Sequence, residues 1–236
     1  MPENCLPSSC IPVPKIENDC YDWYARHEHL KKRSLEEDFD IIFIGDSITH
    51  FWEGEPNADH GSEVWKEYYG RRKVLNIGYG FDRTQNVLWR LEHDEIAGQN
   101  PKLIVVNIGT NQFSITNAHP CDTAEDAAAG IIAVAKKLRK MFPYTRLLFM
   151  GIFPRGERDS FYRTIIPVTN TLVGEALSSM KNVCFMDLRD QFEDKEGNLI
   201  SGLYRTCMCH LFPKGYRVWA NAIEPEIRNA LNTTEK

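Results

Sequence analysis

A serine and an aspartate lie side by side at the end of a short apolar segment. Residues 41–44 are all apolar, and they run directly into Gly45-Asp46-Ser47. Such a run is typical of a strand that is buried on both faces of a parallel sheet. Because ligands bind at the carboxyl ends of such strands, Ser47 is placed as a nucleophile would be, with backbone N–H groups nearby for an oxyanion. Alternatively, Asp46 and Ser47 only cap the next helix.

Three further polar clusters occur later in the chain. They are the glycine-rich stretch 78–82, the pair Thr110-Asn111, and His210. Together with Ser47 they supply a nucleophile, oxyanion donors and a general base, which are the components of acyl transfer. The simpler interpretations are that Asn111 only forms a turn and that His210 only precedes a helix.

The elements that would hold these residues alternate between strand and helix. Apolar runs predict strands at residues 41–44, 73–77, 103–108, 146–150 and 183–187. Helices are predicted at 19–34, 84–92, 122–141 and 161–180 and from 213 onward, the first capped by Asn18 or Asp19 and the last interrupted at Pro225. This alternation predicts an α/β fold, with a parallel sheet, helices on both faces and right-handed crossovers. The polar clusters should then meet at one edge of the sheet.

The predicted domain organisation is simple. Residues 1–18 contain four prolines and are expected to form an extended arm over the surface. Residues 19–236 are expected to form a single domain, since the length suits one hydrophobic core and the sequence has no internal repeat.

Composition argues against several classes of protein. The formal net charge of -5 disfavours nucleic-acid binding, and no apolar run approaches the ~18 residues of a membrane span. No signal peptide is visible, and the seven cysteines are irregularly spaced, which favours free thiols in the cytoplasm. Cys5, Cys10 and Cys20 are the thiols that could pair in an oxidising compartment.

Four ordered blocks resemble those of the SGNH hydrolases, also called the GDSL esterase/lipase family. The blocks are Gly45-Asp46-Ser47-Ile48, residues 76–84, Gly109-Thr110-Asn111 and His210-Leu211, and they span most of residues 38–225. Within the family, residues 87–91, 101–102 and 154–157 are similar to the α-subunits of platelet-activating-factor acetylhydrolases and their bacterial relatives.

The resemblance implies a role for each block. Ser47 would be the nucleophile and His210 the general base. The N–H groups of Ser47 and Phe81, with the side-chain amide of Asn111, would form the oxyanion hole. The family fold is a three-layer α/β/α flavodoxin-like fold with a five-stranded parallel sheet. The resemblance implies no metal or organic cofactor, and a homodimer is expected because the acetylhydrolase subunits form dimers.

Two positions depart from the family pattern. Phe81 stands where the family usually has Gly, and its N–H can still serve if the turn does not require a positive φ, with Gly78 and Gly80 supplying backbone freedom. Cys207 stands where the family has Asp, three residues before the histidine. A thiol with a reference pKa of ~8.5 is mostly neutral at pH 7 and is a poor hydrogen-bond acceptor.

Three consequences for His210 remain open. A backbone carbonyl or a nearby carboxylate could orient it, Cys207 could be a thiolate paired with the imidazolium, or the enzyme could be impaired. We favour the first. The segment Cys207-Met208-Cys209-His210 also resembles half of a zinc site, but it lacks a second ligand pair at zinc-finger spacing, so no metal site is predicted.

The sequence therefore predicts a carboxylic ester hydrolase that acts on a small-molecule ester through a Ser47 acyl-enzyme. A short acyl group is expected, with acetyl on a carbohydrate as the favoured case. The alternative is a non-catalytic binding or scaffold protein whose acid has been lost at Cys207. We expect Asp46, Trp52 and Gly80 to contribute to the pocket.

Overall fold

The computed structural model describes residues 6–54, 60–116 and 119–232. Its strands are β1 (Ile41–Gly45), β2 (Val74–Gly78), β3 (Leu103–Asn107), β4 (Arg146–Met150) and β5 (Val183–Met186). Its α-helices are α1 (Trp23–Glu36), α2 (Ser47–His50), α3 (Ser62–Tyr69), α4 (Thr84–Glu92), α5 (Ala124–Met141), α6 (Tyr162–Leu177), α7 (Arg189–Phe192) and α8 (Pro213–Asn232). Short 3₁₀ turns occupy Ser8–Cys10, Phe51–Glu53 and Thr110–Phe113. All five predicted strands are confirmed.

The strands form a single parallel sheet in the order β2-β1-β3-β4-β5. In this sheet Ile41 lies opposite Val74 on one side and Leu103 on the other. This is the flavodoxin-like strand order, so the predicted α/β fold is confirmed. The order reverses between β1 and β3, and the crevice at the carboxyl ends of these strands is where such folds bind ligands.

Alternate residues of β1 face two different helix layers. Ile42 and Ile44 belong to the core cluster that includes side chains of α1, α4, α5 and α6. Ile41 and Phe43 belong to the cluster that includes side chains of α3 and α8. Because both faces of the strand are covered, its unbroken apolar sequence has no side exposed to water.

Two helix features differ from the prediction. The N-cap of α1 is Asp22, whose carboxylate accepts two backbone N–H groups of the first turn, rather than Asn18 or Asp19. Helix α8 continues through Pro225 instead of being interrupted there. Its buried face, which includes Trp219, packs into the core, and this packing outweighs the hydrogen bond that proline cannot make.

The segment before α1 lies against α4 and α5, and it extends the predicted arm of residues 1–18 as far as residue 22, so residues 6–22 are called the arm below. Ser9 is buried, and its hydroxyl donates to the carbonyl of Asp126 at 2.5 Å. The carbonyl of Ser9 accepts a hydrogen bond from the Thr84 hydroxyl at 2.7 Å. Residues 1–5 of the predicted arm, including Cys5, lie outside the described residues. No helix in the described ranges is long and apolar enough to cross a membrane.

A buried ionic cluster joins α4 to the loop that follows β2. Arg90 is completely buried, and its guanidinium contacts the buried carboxylates of Asp82 and Glu95, with Nε 2.9 Å from Asp82 Oδ2. The guanidinium carbon lies 4.0 Å from the ring centroid of Tyr79. Trp23 Nε1 donates to Asp82 Oδ1 at 2.7 Å. Because buried charges are costly unless paired, this cluster fixes the loop relative to α1 and α4.

Replacing Arg90 with Met would leave Asp82 and Glu95 buried without a cation. We expect Arg90→Met to lower the free energy of unfolding by about 3–5 kcal/mol, measured by urea denaturation with tryptophan fluorescence. Arg217, which lies 2.7 Å from Glu67 at the surface, provides the matched control. Arg217→Met should hardly move the denaturation midpoint, because exposed ion pairs contribute little. Equal effects of the two substitutions would contradict a stabilising role for the cluster.

Candidate active site

Ser47 is the first residue of α2, directly after the carboxyl end of β1. Its hydroxyl oxygen lies 2.8 Å from Nε2 of His210. Asp46 is the N-cap of α2, and its carboxylate accepts the N–H of Ile48 at 3.0 Å. The sequence allowed two interpretations of Asp46-Ser47, a helix cap or a nucleophile. Each applies to one residue, because Asp46 caps the helix and the Ser47 hydroxyl contacts the imidazole.

His210 lies in the loop before α8, and its two ring nitrogens have different partners. Nδ1 lies 3.4 Å from the sulfur of Cys207. The backbone N–H of His210 also donates to this sulfur at 3.4 Å, across a turn in which Met208 has a φ of 51°. When the Ser47 hydroxyl donates to Nε2, the ring proton is on Nδ1, where Cys207 can accept it.

The two thiols of this loop have different electrostatic environments. The hydrogen bond with His210 lowers the pKa of Cys207 to about 6, because it favours the thiolate. Burial instead raises the pKa of Cys209 to about 11. In the part of the chain that the structure describes, no group of three or more His, Cys, Asp or Glu residues could hold a metal ion.

The partner of Nδ1 differs from the one that we favoured. Among the described residues, no carbonyl or carboxylate oxygen is hydrogen-bonded to Nδ1 of His210, and the sulfur of Cys207 occupies this place. The contacts therefore give Cys207 the position beside Nδ1 that the second of the three possibilities requires.

Asn111 and Phe81 line the same pocket as Ser47. The side-chain amide of Asn111 donates to the Asp82 carbonyl at 3.0 Å, which leaves its second hydrogen available. The φ of Phe81 is 60°, so the condition of a turn without a positive φ is not met, and Phe81 itself adopts the left-handed conformation. The Phe81 N–H has no backbone hydrogen-bond acceptor within residues 6–54, 60–116 and 119–232. It can therefore donate to an oxyanion.

His50 supports this turn from the protein interior. The N–H of Gly80 donates to Nδ1 of His50 at 3.2 Å. Burial lowers the pKa of His50 to about 2, so the ring is neutral and can accept this hydrogen bond. A Cβ atom on Gly80 would overlap Oδ2 of the Asp19 carboxylate, so a larger residue here would displace the end of this side chain.

The pocket above Ser47 has a volume of about 320 Å³. It is lined by side chains from the sheet edge, from the His210 loop and from the arm: Asp19, Ser47, Phe51, Phe81, Asn111, Ser114, Arg155, Cys207, Cys209 and His210. The structure thus brings together the five residues to which the resemblance gave a place in the catalytic machinery.

Three residues that we expected in the pocket do not line it. Trp52 is completely buried and packs against Tyr216 and Trp219 in the core, whereas its neighbour Phe51 faces the pocket. Asp46 is buried, and its burial raises its pKa to about 7. Gly80 is also buried. The prediction was wrong for these residues because adjacent residues in a tight turn point in different directions.

Sequence reasoning missed five lining residues, which are Asp19, Phe51, Ser114, Arg155 and Cys209. Arg155 follows β4 at the edge of the sheet that also carries Ser47, so the rule that located the other clusters could have found it. Ser114 directly follows the turn that contains Asn111. Asp19 reaches the pocket through packing of the arm, which no local pattern indicates.

The left-handed conformation of residue 81 should be measurable as strain. A Cβ atom in this conformation costs roughly 1–2 kcal/mol, which glycine avoids at the expense of greater freedom in the unfolded chain. We therefore expect Phe81→Gly to be more stable than Phe81→Ala by about 1 kcal/mol in urea denaturation. Both variants lack the phenyl ring, so their difference reports on the backbone. Equal stability would contradict a positive φ at this residue.

Comparison with known proteins identifies relatives of this chain. The GDSL-like Lipase/Acylhydrolase family profile matches residues 43–218. The alpha1 subunit of platelet-activating factor acetylhydrolase IB from Rattus norvegicus is 32% identical over 192 residues, which are 81% of this chain and 76% of that protein.

Solved structures share the fold at lower sequence identity. A GDSL-like lipase from Bacteroides thetaiotaomicron is 15% identical, with a TM-score of 0.67 over 88% of this chain and 99% of that one. Axe2, an acetylxylan esterase from Geobacillus stearothermophilus, is 18% identical, with a TM-score of 0.61 over 80% of this chain and 94% of that one. The matched profile covers most of this chain, including Ser47 and His210. The chain therefore belongs to the GDSL-like lipase/acylhydrolase family and is a carboxylic ester hydrolase.

Proposed function

We propose that this hydrolase cleaves short-acyl esters, acetyl esters in particular, with Ser47 as the nucleophile and His210 as the general base. The observation that carries the proposal is the 2.8 Å hydrogen bond between Ser47 Oγ and His210 Nε2. Asn111 and Phe81 line the same pocket and offer hydrogen-bond donors beside the hydroxyl. A nucleophile, a base and oxyanion donors around one cavity are the parts that acyl transfer needs.

In the first half of the reaction, Ser47 Oγ attacks the ester carbonyl carbon while its proton moves to Nε2 of His210. The carbonyl oxygen becomes an oxyanion that is held by the amide of Asn111 and the N–H groups of Ser47 and Phe81. His210 then returns the proton to the alcohol oxygen as the bond to the carbonyl carbon breaks. Water attacks the acyl-enzyme by the same route and releases the acid and free Ser47.

In this proposal Cys207 replaces the aspartate that the family has at this position. A thiol with a pKa of about 6 is mostly ionised at neutral pH. The thiolate accepts the Nδ1 proton of His210 and stabilises the imidazolium that forms during attack. Cys207 thus acts through His210 and positions it, without touching the substrate carbonyl.

The aromatic side chains of the pocket support a preference for short acyl groups. The Phe51 ring centroid lies 5.1 Å from that of His210, so this ring closes the space beside the base. Phe81 borders the pocket next to its own N–H group. The rat relative is named an acetylhydrolase subunit and one structural neighbour is an acetylxylan esterase. We extend the acetyl preference to this chain, with a carbohydrate as the favoured alcohol half.

Hydrolysis of p-nitrophenyl acetate, butyrate and octanoate tests the nucleophile and the acyl length. We expect turnover to decrease from acetate to octanoate and to be lost in Ser47→Ala, because no other hydroxyl lies beside Nε2 among the described residues. Ser178→Ala, on the exposed surface, is the control and should match the parent protein. Turnover by Ser47→Ala at the parental rate would contradict the role of Ser47, and faster octanoate hydrolysis would contradict the acyl preference.

Substitution of Cys207 tests the acceptor. We expect Cys207→Ala to lower kcat by about 10²- to 10⁴-fold with little change in KM, because the imidazole then loses its orienting group. Cys207→Asp should keep kcat within about tenfold of the parent value, since it supplies the carboxylate of the family. Steady-state hydrolysis of p-nitrophenyl acetate measures both effects, and Cys184→Ala on β5 is the matched control thiol.

The charge of Cys207 can be measured in the same variants. The ultraviolet thiolate absorbance of the parent minus that of Cys207→Ala should titrate near pH 6, so the acceptor is present above this pH and is lost below it. A midpoint near the ordinary thiol pKa of ~8.5 would contradict the thiolate. A rise in kcat of about a hundredfold or more in Cys207→Asp would instead show that Cys207 is an inadequate acceptor, which would favour an impaired binding or scaffold protein.

A further inference from the structure

We propose that the N-terminal arm determines the alcohol specificity of this esterase through Asp19. In this proposal the Asp19 carboxylate accepts hydrogen bonds from hydroxyl groups of a neutral polyhydroxy alcohol, and Arg155 donates to the same alcohol. The inference rests on the proposed hydrolysis at Ser47, and it identifies the residue that recognises the alcohol half of the ester. Neither residue belongs to the nucleophile, the base or the oxyanion donors.

Asp19 is a pocket residue with one carboxylate oxygen available. Its Oδ1 accepts the N–H of Cys20 at 2.6 Å. Its Oδ2 lies against the backbone of Gly80, directly before the oxyanion donor Phe81. Among the described residues, Oδ2 has no hydrogen-bond or ion-pair partner. An unpaired carboxylate oxygen at the edge of the pocket can therefore accept a hydrogen bond from a substrate.

The arm is anchored on both sides of Asp19. Before it, the side-chain amide of Asn86 on α4 donates to the carbonyl of Pro14 at 2.7 Å. After it, the hydroxyl of Tyr21 donates to the carbonyl of Gly80 at 3.2 Å. These anchors lie on α4 and on the turn that carries the oxyanion donor. The position of the carboxylate is thus set by the same elements that form the catalytic site.

Arg155 brings the opposite charge to the same pocket. Its Nη1 donates to the hydroxyl and the carbonyl of Thr110 at 3.1 and 3.3 Å, and its guanidinium carbon lies 4.1 Å from the ring centroid of Tyr162. Among the described residues no carboxylate lies within salt-bridge distance of the guanidinium, although the buried Asp46 carboxylate interacts with its charge. The remaining N–H groups of the guanidinium can therefore donate to a ligand.

The opposite charges of Asp19 and Arg155 restrict which alcohol halves the pocket can bind. In a pocket that carries both charges, a cationic alcohol attracted by Asp19 is repelled by Arg155, and an anionic alcohol attracted by Arg155 is repelled by Asp19. A hydroxyl group can donate to the carboxylate and accept from the guanidinium, so a neutral alcohol with several hydroxyls satisfies both. The Ser114 hydroxyl, which also lines the pocket, adds a further donor and acceptor.

Asp19 also lies outside the region that the family profile matches. The family profile begins at residue 43, so Asp19 lies before the matched region, whereas Arg155 lies within it. The region that matches the family profile can provide ester cleavage, and the arm can then select which esters are cleaved. A specificity residue carried by a separate segment fits this division.

Three acetates with different alcohol halves test the proposal: an acetylated methyl xyloside, acetylcholine and p-nitrophenyl acetate. We expect the parent protein to prefer the xyloside to acetylcholine. In Asp19→Ala, the ratio of kcat/KM for the xyloside to that for p-nitrophenyl acetate should fall by about ten- to a hundredfold, the worth of a hydrogen bond to a charged group. Asp19→Asn should lose less, because its amide oxygen still accepts from a hydroxyl.

The controls separate this proposal from the proposed function. Asp38→Ala, an exposed carboxylate before β1, should leave both rates unchanged. An unchanged ratio in Asp19→Ala would overturn the role of Asp19. A preference for acetylcholine, with Asp19→Asn as defective as Asp19→Ala, would also overturn it, because a carboxylate that binds a cation needs its charge. Hydrolysis at Ser47 would stand in both cases, since its own test uses p-nitrophenyl acetate and Ser47→Ala.

Discussion

The ion pair between Arg90 and Asp82 connects the hydrophobic core to the candidate oxyanion hole. The carboxylate of Asp82 is held by Arg90 and Trp23, and its carbonyl accepts the side-chain amide of Asn111. Asp82 also directly follows Phe81, so one residue orients both the amide donor and the backbone donor. A buried cation between two carboxylates has few arrangements that leave no charge unpaired. The cluster therefore opposes relaxation of the left-handed turn at Phe81, whose conformation is unfavourable by itself.

The main features of the fold could be predicted from local patterns. The apolar run 41–44 predicted a strand that is covered on both faces. Because Gly45-Asp46-Ser47 follows this run directly, the Ser47 hydroxyl was predicted at the edge of the sheet where ligands bind. The same rule brought Asn111 to this edge, because parallel strands end together. These inferences succeeded because burial on both faces leaves a clear signal in sequence, and because the carboxyl end of a parallel strand has one fixed direction relative to the sheet.

The remaining features depended on contacts that sequence spacing does not encode. Phe51 and Trp52 are adjacent and both aromatic, yet a short 3₁₀ turn directs one into the pocket and the other into the core. The approach of Asp19 depends on the arm packing against Gly80, which is distant in sequence. The partner of Nδ1 of His210 could be listed among three possibilities but not chosen, because the choice depends on the geometry of the loop that contains Cys207.

The departures from the family pattern are compatible with the site for one physical reason. Phe81 contributes a backbone N–H, which every residue except proline has, so the substitution changes the strain of the turn and the shape of the pocket while retaining the donor. At Cys207 the needed property is a negative charge at the acceptor, and the hydrogen bond with His210 lowers the pKa of the thiol in that direction. In both cases the fold fixes where a donor or acceptor must be, and several residue types can supply it. The positions of the donors and acceptors in the active site are therefore more restricted than the residue types that supply them. The residues of the pocket wall can then vary and determine the substrate.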